Sequence, residues 1–518
     1  MILKGALIPP LKSLNNIYKG ANHDDLHLYC FTKDKISYIC KQMRKFVLHI
    51  IAFFGVVGTI CAQNSFDMRL IRSFSVGEFN GVNTVLVCDL DADGLPEMAT
   101  VQSDYRDNEG RIVIVKGGSL GKQKEIGFGA KYGTPGASFG YSACPMAMTT
   151  VSDGAGRLQG HIYIVAGTAD AKNLYLYKYN SIDDIQEERS VALQNNLYGI
   201  PRIADFNNDG RPEVFVGTEV FDAFSLTFIG FGGGDANSGR HLQHDGANFS
   251  LTTVYTSYDD SNNVGSSNKN NIEEKYLLSG NQLFTVNPKA APNGVTLYKT
   301  IGGVQKDGSA LAADLDGDGT NEVVVRDPQG RLSLFDVKNN EVLILNSALP
   351  MSSYPAVGDI DGDGCDEIVG LKDKTYLSAY KFNVKKGILY EFWTIPHSDI
   401  SGQTGITLFD FNADGMQEIV YRDETLLRII NGSGKSHITG NDTIKYGRRV
   451  AYNLASVGIK SPTKSERPIV AQVLGDGATQ IVIGGVLYGD YVPGTARVCI
   501  FGANTVPWAK SDKTENQY

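Results

Sequence analysis

The run Asp314-Leu315-Asp316-Gly317-Asp318-Gly319-Thr320-Asn321-Glu322 restricts this chain more than any other stretch. Carboxylates stand at its first, third, fifth and ninth positions, with a glycine at the sixth. Like charges packed this closely repel, so a folded backbone there needs a positive partner. The glycine allows a sharp turn that swings a following carbonyl inward. The pattern is written four more times: Asp89, Asp91, Asp93, Gly94 and Glu97; Asp205, Asn207, Asp209, Gly210 and Glu213; Asp359, Asp361, Asp363, Gly364 and Glu367; and Asp410, Asn412, Asp414, Gly415 and Glu418. Oxygen ligands in this number and at this loose spacing suit Ca²⁺, which takes roughly six to eight of them. The expectation is about five calcium sites, one per loop.

An EF-hand needs a bidentate Glu at the twelfth loop position and a helix on each side. That position holds Thr100, Val216, Val325, Gly370 and Tyr421, none of them a carboxylate. The flanks, such as Tyr354 to Ile360 and Glu367 to Lys372, are short, apolar and β-branched, and read as strands. Each loop therefore joins two strands.

The loops start at 89, 205, 314, 359 and 410, and the two early intervals are about twice the later ones, so each should hide a further copy. In the first interval Asp153 and Gly154 survive, while Thr149 and Val151 replace ligands. Near the end Asp476 and Gly477 survive, with Gln472, Leu474 and Gln480 in place of acids. These worn copies should bind calcium weakly or not at all. The second interval contains Ser257 to Asn271, rich in Asn, Ser and Asp, which reads as an expanded surface loop or a ligand-contacting one.

One unit reads as a strand up to Ile360, the acidic loop, a strand from Glu367, then Thr375 to Phe382 and Ile388 to Ile395. Four short strands repeated in this way are the pattern of propeller blades, which bury their faces only against one another. The fold class is all-β, a calcium-binding β-propeller of eight four-stranded blades, or seven if the Asn/Ser stretch is an insertion. The early strand over 66–74 lacks a partner of its own and is expected to complete the last blade.

Residues 43–62 have a basic start at Arg44 and Lys45, an apolar run from Phe46 to Ile60, and Ala62 as a small cleavage residue. This is the form of a secretory signal peptide. His49 and the short apolar run argue against a stable membrane span after cleavage. Ile60 argues against lipidation at Cys61. Because a signal peptide should begin a chain, residues 1–42 are expected to be a misassigned extension. The organisation is then 1–42 extension, 43–62 signal peptide, 63–503 propeller, and 504–518 a linker toward a possible further domain. Residues 1–62 carry eight Lys/Arg and three Asp/Glu, so the net charge of −9 hides a body at −14, and an acidic body argues against nucleic acid as partner. Cys88, Cys144, Cys365 and Cys499 are scattered and form neither a disulfide framework nor a zinc pattern.

The acidic loops, with Phe139-Gly140 and Val165 to Ala169, resemble the FG-GAP or integrin-α-type repeat and its bacterial relatives. The resemblance runs over most of residues 66–503. It implies a propeller with calcium on one face, and secretion or cell-surface display. It leaves the ligand open, because the fold hosts many functions.

No phosphate-binding loop is present; Gly232 to Gly234 reads as a turn. His241 and His244, beside Asp245, read as loop histidines before metal ligands. Certain rhamnogalacturonan lyases are similar calcium-rich propellers, and His397, Lys372 or Arg422 would be candidate groups for such chemistry. The leading expectation is a secreted or surface binding and adhesion module for an extracellular protein or glycan. A lyase and a passive display scaffold are the alternatives, and whether the chain is an enzyme is left open.

Overall fold

The computed structural model describes residues 66–512 apart from a set of internal stretches, the longest of them 128–145 and 260–271. The leader, the extension before it, Phe139-Gly140, Cys144 and the worn Asp153-Gly154 pair lie outside the described residues. Within them the chain is nearly all β, and its helices are two 3₁₀ turns, Pro288–Ala290 and Val384–Lys386. None is long and apolar enough to cross a membrane.

Six separate four-stranded antiparallel sheets follow one another along the chain, over 82–127, 146–192, 202–231, 252–300, 309–344 and 356–396. An eight-stranded sheet follows, made of two quartets whose backbones pair, among the described residues, at Ile459↔Leu487 and Lys460↔Val486. Its first quartet is Ile406–Phe409, Glu418–Arg422, Leu426–Asn431 and Tyr452–Lys460. Its second is Ile469–Ala471, Gln480–Leu487, Arg497–Ala503 and the early strand Met68–Ser75, which pairs antiparallel with Arg497–Ala503. The ends of the described chain thus share one sheet, as the unpartnered early strand required.

The second interval forms a sheet of its own. Thr252–Asp259 pairs with Ile272–Ser279 from Thr252↔Ser279 to Asp259↔Ile272. In sequence, 260–271 separates the first and second strands of this sheet, the connection that carries the acidic loop in other units. His241 and His244, expected in a loop, fall on the strand Arg240–His244, because Arg240, Gln243 and His244 pair with Ser250, Asn248 and Ala247.

Burial explains the strand sequences. Glu322–Arg326, Leu332–Asp336 and Glu367–Leu371 are buried at every position, while Glu341–Ile344 is exposed to half-buried. The middle strands are covered on both faces and so read as continuous apolar runs; the fourth strand faces water on one side. The core lies between sheets. Leu86 and Ile112 of the first sheet pack with Ile162 and Tyr177 of the second. Val324 and Leu334 of the fifth pack with Ile368 and Tyr380 of the sixth. Val85, Val87 and Val113 of the first sheet also pack with Ile469, Val482 and Ile500 of the last quartet. Every sheet is thereby packed against the next, and the last against the first.

The tail corrects the expectation of a linker from residue 504. Trp508 is 4% exposed and packs edge-on against Phe411, ring centroids 4.9 Å apart. The Ala509 N–H donates to the Phe411 carbonyl at 2.8 Å, and the Gln472 N–H to the Asp512 carbonyl at 3.0 Å. An indole among polar residues is an apolar body that needs a place to bury, and the rim of the last two quartets supplies one.

The remaining thiols behave as packing groups. Cys88 and Cys499 are buried, no disulfide joins Cys88, Cys365 or Cys499, and burial pushes the Cys88 thiol up to about 12.

Candidate metal centres

All five acidic loops connect the first and second strands of their sheets. In each, the second residue is an apolar plug: Leu90, Phe206, Leu315, Ile360 and Phe411 are at most 5% exposed. The plug seats the loop on the core and draws the ninth-position Glu inward. Glu97, Glu213, Glu322, Glu367 and Glu418 are at most 3% exposed. One carboxylate oxygen of each accepts the N–H of the plug residue, at 2.9, 3.0, 2.8, 3.0 and 3.0 Å in that order. The worn copy keeps this bond without the charge, Gln480 accepting from the Val473 N–H at 2.8 Å.

The sixth-position glycines have left-handed φ of 87°, 80°, 83°, 85° and 85°. A Cβ at Gly210, Gly319, Gly364 or Gly415 would meet nothing within 4 Å, so the backbone angle itself calls for glycine there. Ala92 and Ala413 are left-handed too, at φ 55° and 56°, a conformation that costs an L-residue roughly 1–2 kcal/mol.

The first Asp closes the turn: an oxygen of Asp89, Asp205, Asp314, Asp359 and Asp410 accepts the glycine N–H at 2.8 to 3.0 Å. An oxygen of the fifth-position Asp accepts the N–H two residues on, as from Asp93 to Leu95 at 2.9 Å and Asp363 to Cys365 at 3.1 Å. These bonds occupy one side of each carboxylate and turn the other toward the loop centre. Oxygens of Asp89, Asp91 and Glu97 lie within 4.8 Å of one another, as do those of Asp314, Asp316 and Glu322, and of Asp359, Asp361 and Glu367. Asp89 Oδ1 and Asp361 Oδ1 are buried and accept no hydrogen bond. This donor set, carboxylates with a free inward oxygen, fits a hard cation. In the other two loops Asn207 and Asn412 take the third position, and their amides donate to Asp209 and Asp414 at 3.0 and 2.9 Å.

Two side chains outside the motif enter these clusters. Lys116 Nζ lies 2.6 Å from Asp91, 2.9 Å from Asp93 and 3.5 Å from Glu97. Lys381 Nζ lies 2.8 Å from Asp361, 2.7 Å from Asp363 and 2.8 Å from Glu367. Lys381 stands on the third strand of its sheet and Lys116 directly after the end of its own, outside the motif; only the strand pairing could have found them. Burial opposes ionisation of Asp93 and Asp363, but the lysines outweigh it and hold both below the usual carboxylate range.

The loops are also tied to their neighbours. The Asp89 carbonyl accepts from Thr150 at 2.7 Å, and that of Asp205 from Lys275 at 3.1 Å. The Asp314 carbonyl accepts from the Asp366 N–H at 2.7 Å, and that of Asp359 from the Gln417 N–H at 3.0 Å. Four of the five acidic loops are thus bonded through their first carbonyl to the following sheet.

Burial, then the neighbouring Asp carboxylates, push the Glu side chains up from 4.5: Glu97 and Glu213 to about 7, Glu322 and Glu367 to about 8, Glu418 to about 9. A carboxyl with a raised folded pKa stabilises the fold while protonated, and that contribution is lost as pH rises through the folded value. His161, pushed down to about 4 by burial, acts oppositely but only below 6.5. In EDTA, stability should therefore fall from pH 6.5 to 9, by ~1.4 kcal/mol per carboxyl and pH unit titrated. Calcium, which binds the ionised form, should flatten or reverse that slope; urea melts at four pH values, with and without the ion, check both.

Candidate catalytic groups from the sequence are each engaged. Arg422 is fully buried, paired at 2.6 Å with the equally buried Glu466, and donates to the Gly484 carbonyl. Lys372 pairs with Glu391 at 2.6 Å. His397 accepts the Asp399 N–H at 2.9 Å, and its other nitrogen lies 3.1 Å from the Asp373 carbonyl. A cavity of about 490 Å³ opens among the first strands of several sheets, with Arg202, Tyr354, Arg467 and Asp512 among its lining.

No family model and no curated protein matches the chain. Among solved structures, the V. cholerae biofilm matrix protein Bap1 aligns over 88% of this chain and 94% of its own, with a TM-score of 0.54 and 14% identity. Quinohemoprotein alcohol dehydrogenase ADHIIG from Pseudomonas putida HK5 covers 86% of this chain and 77% of its own, at a TM-score of 0.40 and 11% identity. The C-terminal WD40 domain of Sif2 covers 84% and 98%, at a TM-score of 0.36 and 8% identity. The likeness to Bap1 is one of fold, in agreement with the four-stranded antiparallel sheets.

Proposed function

We propose that this chain is a secreted or surface-displayed, calcium-clamped β-propeller of the FG-GAP type, with eight blades, that binds an extracellular protein or glycan. The observation that carries the reading is the set of acidic loops, four of them bonded through their first carbonyl to the following sheet. An ion in such a loop stiffens the joint between two blades and so holds the loop face in a fixed shape, as a binding surface needs. The fold shared with a biofilm matrix protein agrees with an extracellular adhesion role. When bound, calcium supplies positive charge and oxygen coordination; the chain supplies the carboxylates, the turn glycine and the buried plug that hold them in place.

The test is a glycan and extracellular-protein array probed with the full chain. Binding that appears in calcium and vanishes in EDTA is the expected result. No ligand under either condition would favour the display scaffold. Unsaturated product released from pectic polysaccharide would favour the lyase and end the binding-module reading.

A further inference from the structure

We infer that Lys116 and Lys381 are the resident cations of their loops, so that the loops at 89–97 and 359–367 hold no calcium and the ion is taken by those at 205–213, 314–322 and 410–418. This rests on the calcium reading above and narrows it.

The argument is geometric. In the first loop, Asp91 Oδ1, Asp93 Oδ1 and Glu97 Oε2 accept backbone N–H groups. Lys116 Nζ contacts the other oxygen of each: Asp91 Oδ2, Asp93 Oδ2 and Glu97 Oε1. In the fourth loop Asp363 Oδ1 and Glu367 Oε2 are taken by backbone, and Lys381 Nζ lies against Asp361 Oδ2, Asp363 Oδ2 and Glu367 Oε1. These are oxygens the backbone leaves open, Asp89 Oδ1 and Asp361 Oδ1 being the buried ones that the lysines do not touch. An ammonium at this distance from three of them sits where an ion with ~2.3–2.6 Å bonds would sit. Both cannot be there.

The pairing register shows that this is one structural position with several occupants. Lys116 follows Val115, the partner of Met98, and Lys381 follows Tyr380, the partner of Ile368. Each lysine is therefore opposite the ninth-position Glu. The same position is Asp222, paired with Glu213, in the second loop, and Asp336, paired with Glu322, in the third. In the fifth it is Asn431, which follows Ile430, the partner of Ile419. Where the third strand offers acid or amide, no ammonium among the described residues is paired with the ninth-position Glu. Lys338 meets the third loop at Asp318, 3.2 Å away and on its exposed side.

Calcium per chain, measured by plasma mass spectrometry after equilibration in excess calcium and gel filtration, tests this on the full chain. Three ions are expected for the natural sequence, and two more in Lys116→Gln/Lys381→Gln. Asp336→Lys, which places an ammonium opposite Glu322, should lose one ion and serves if the double variant does not fold. Five ions in the natural sequence, or no gain in the folded double variant, would overturn the lysine assignment and leave the calcium reading standing. No calcium in any variant would overturn the calcium reading itself.

Discussion

Stripping calcium with excess EGTA should lower the melting temperature of this protein by roughly 10 °C or more. Each occupied loop contributes about 2.7 kcal/mol when free calcium is a hundredfold above its dissociation constant. Three loops acting together give about 8 kcal/mol, comparable to the ~5–15 kcal/mol that separates an ordinary folded domain from its unfolded chain. The effect should be this large because the charges have little other relief: the ninth-position Glu residues are nearly sealed from water, and the loops around them add further carboxylates. Magnesium at equal concentration should restore little, since it demands near-ideal octahedral geometry and gives up water reluctantly. Scanning calorimetry in EGTA, in EGTA with excess calcium, and in EGTA with magnesium separates these outcomes. Identical melting in all three would remove the calcium clamp as an account of the fold.

Trp508→Ala should destabilise the protein by about 3–5 kcal/mol, the range for emptying a buried aromatic site. The indole sits with Phe411, Val420, Ile481 and Phe501, so its loss opens a cavity between the last two quartets. The backbone bonds from Ala509 to Phe411 and from Gln472 to Asp512 would lose their anchor with it. Trp508→Phe should retain most of the stability by refilling the site with a smaller ring. Urea midpoints of the two variants measure the difference. A Trp508→Ala variant with an unchanged midpoint would show that the tail is not docked in solution.

The acidic loops, their bordering strands and the need of the early strand for a distant partner were legible because they are local. A glycine at the sixth position, an apolar plug at the second and carboxylates at alternating positions are all within nine residues, and the turn they make depends on little else. The worn copy ending at Gln480 was legible for the same reason, and it keeps the bond to the backbone without the charge. The tail misled because a single tryptophan among polar residues has no period to read. Its burial depends on a groove formed by residues from 411 to 501.

By itself, the order of residues determined that this chain would be a series of short antiparallel strands interrupted by carboxylate-lined turns, because those turns are built within a single loop. Which turns also meet an ammonium was decided by the tertiary structure. Lys116 and Lys381 reach Glu97 and Glu367 only through the pairing of the second strand with the third, and the same register sets Asp336 against Glu322. Electrostatic neutralisation depends on which charges meet across the sheet, and that is a property of register that no window of adjacent residues contains.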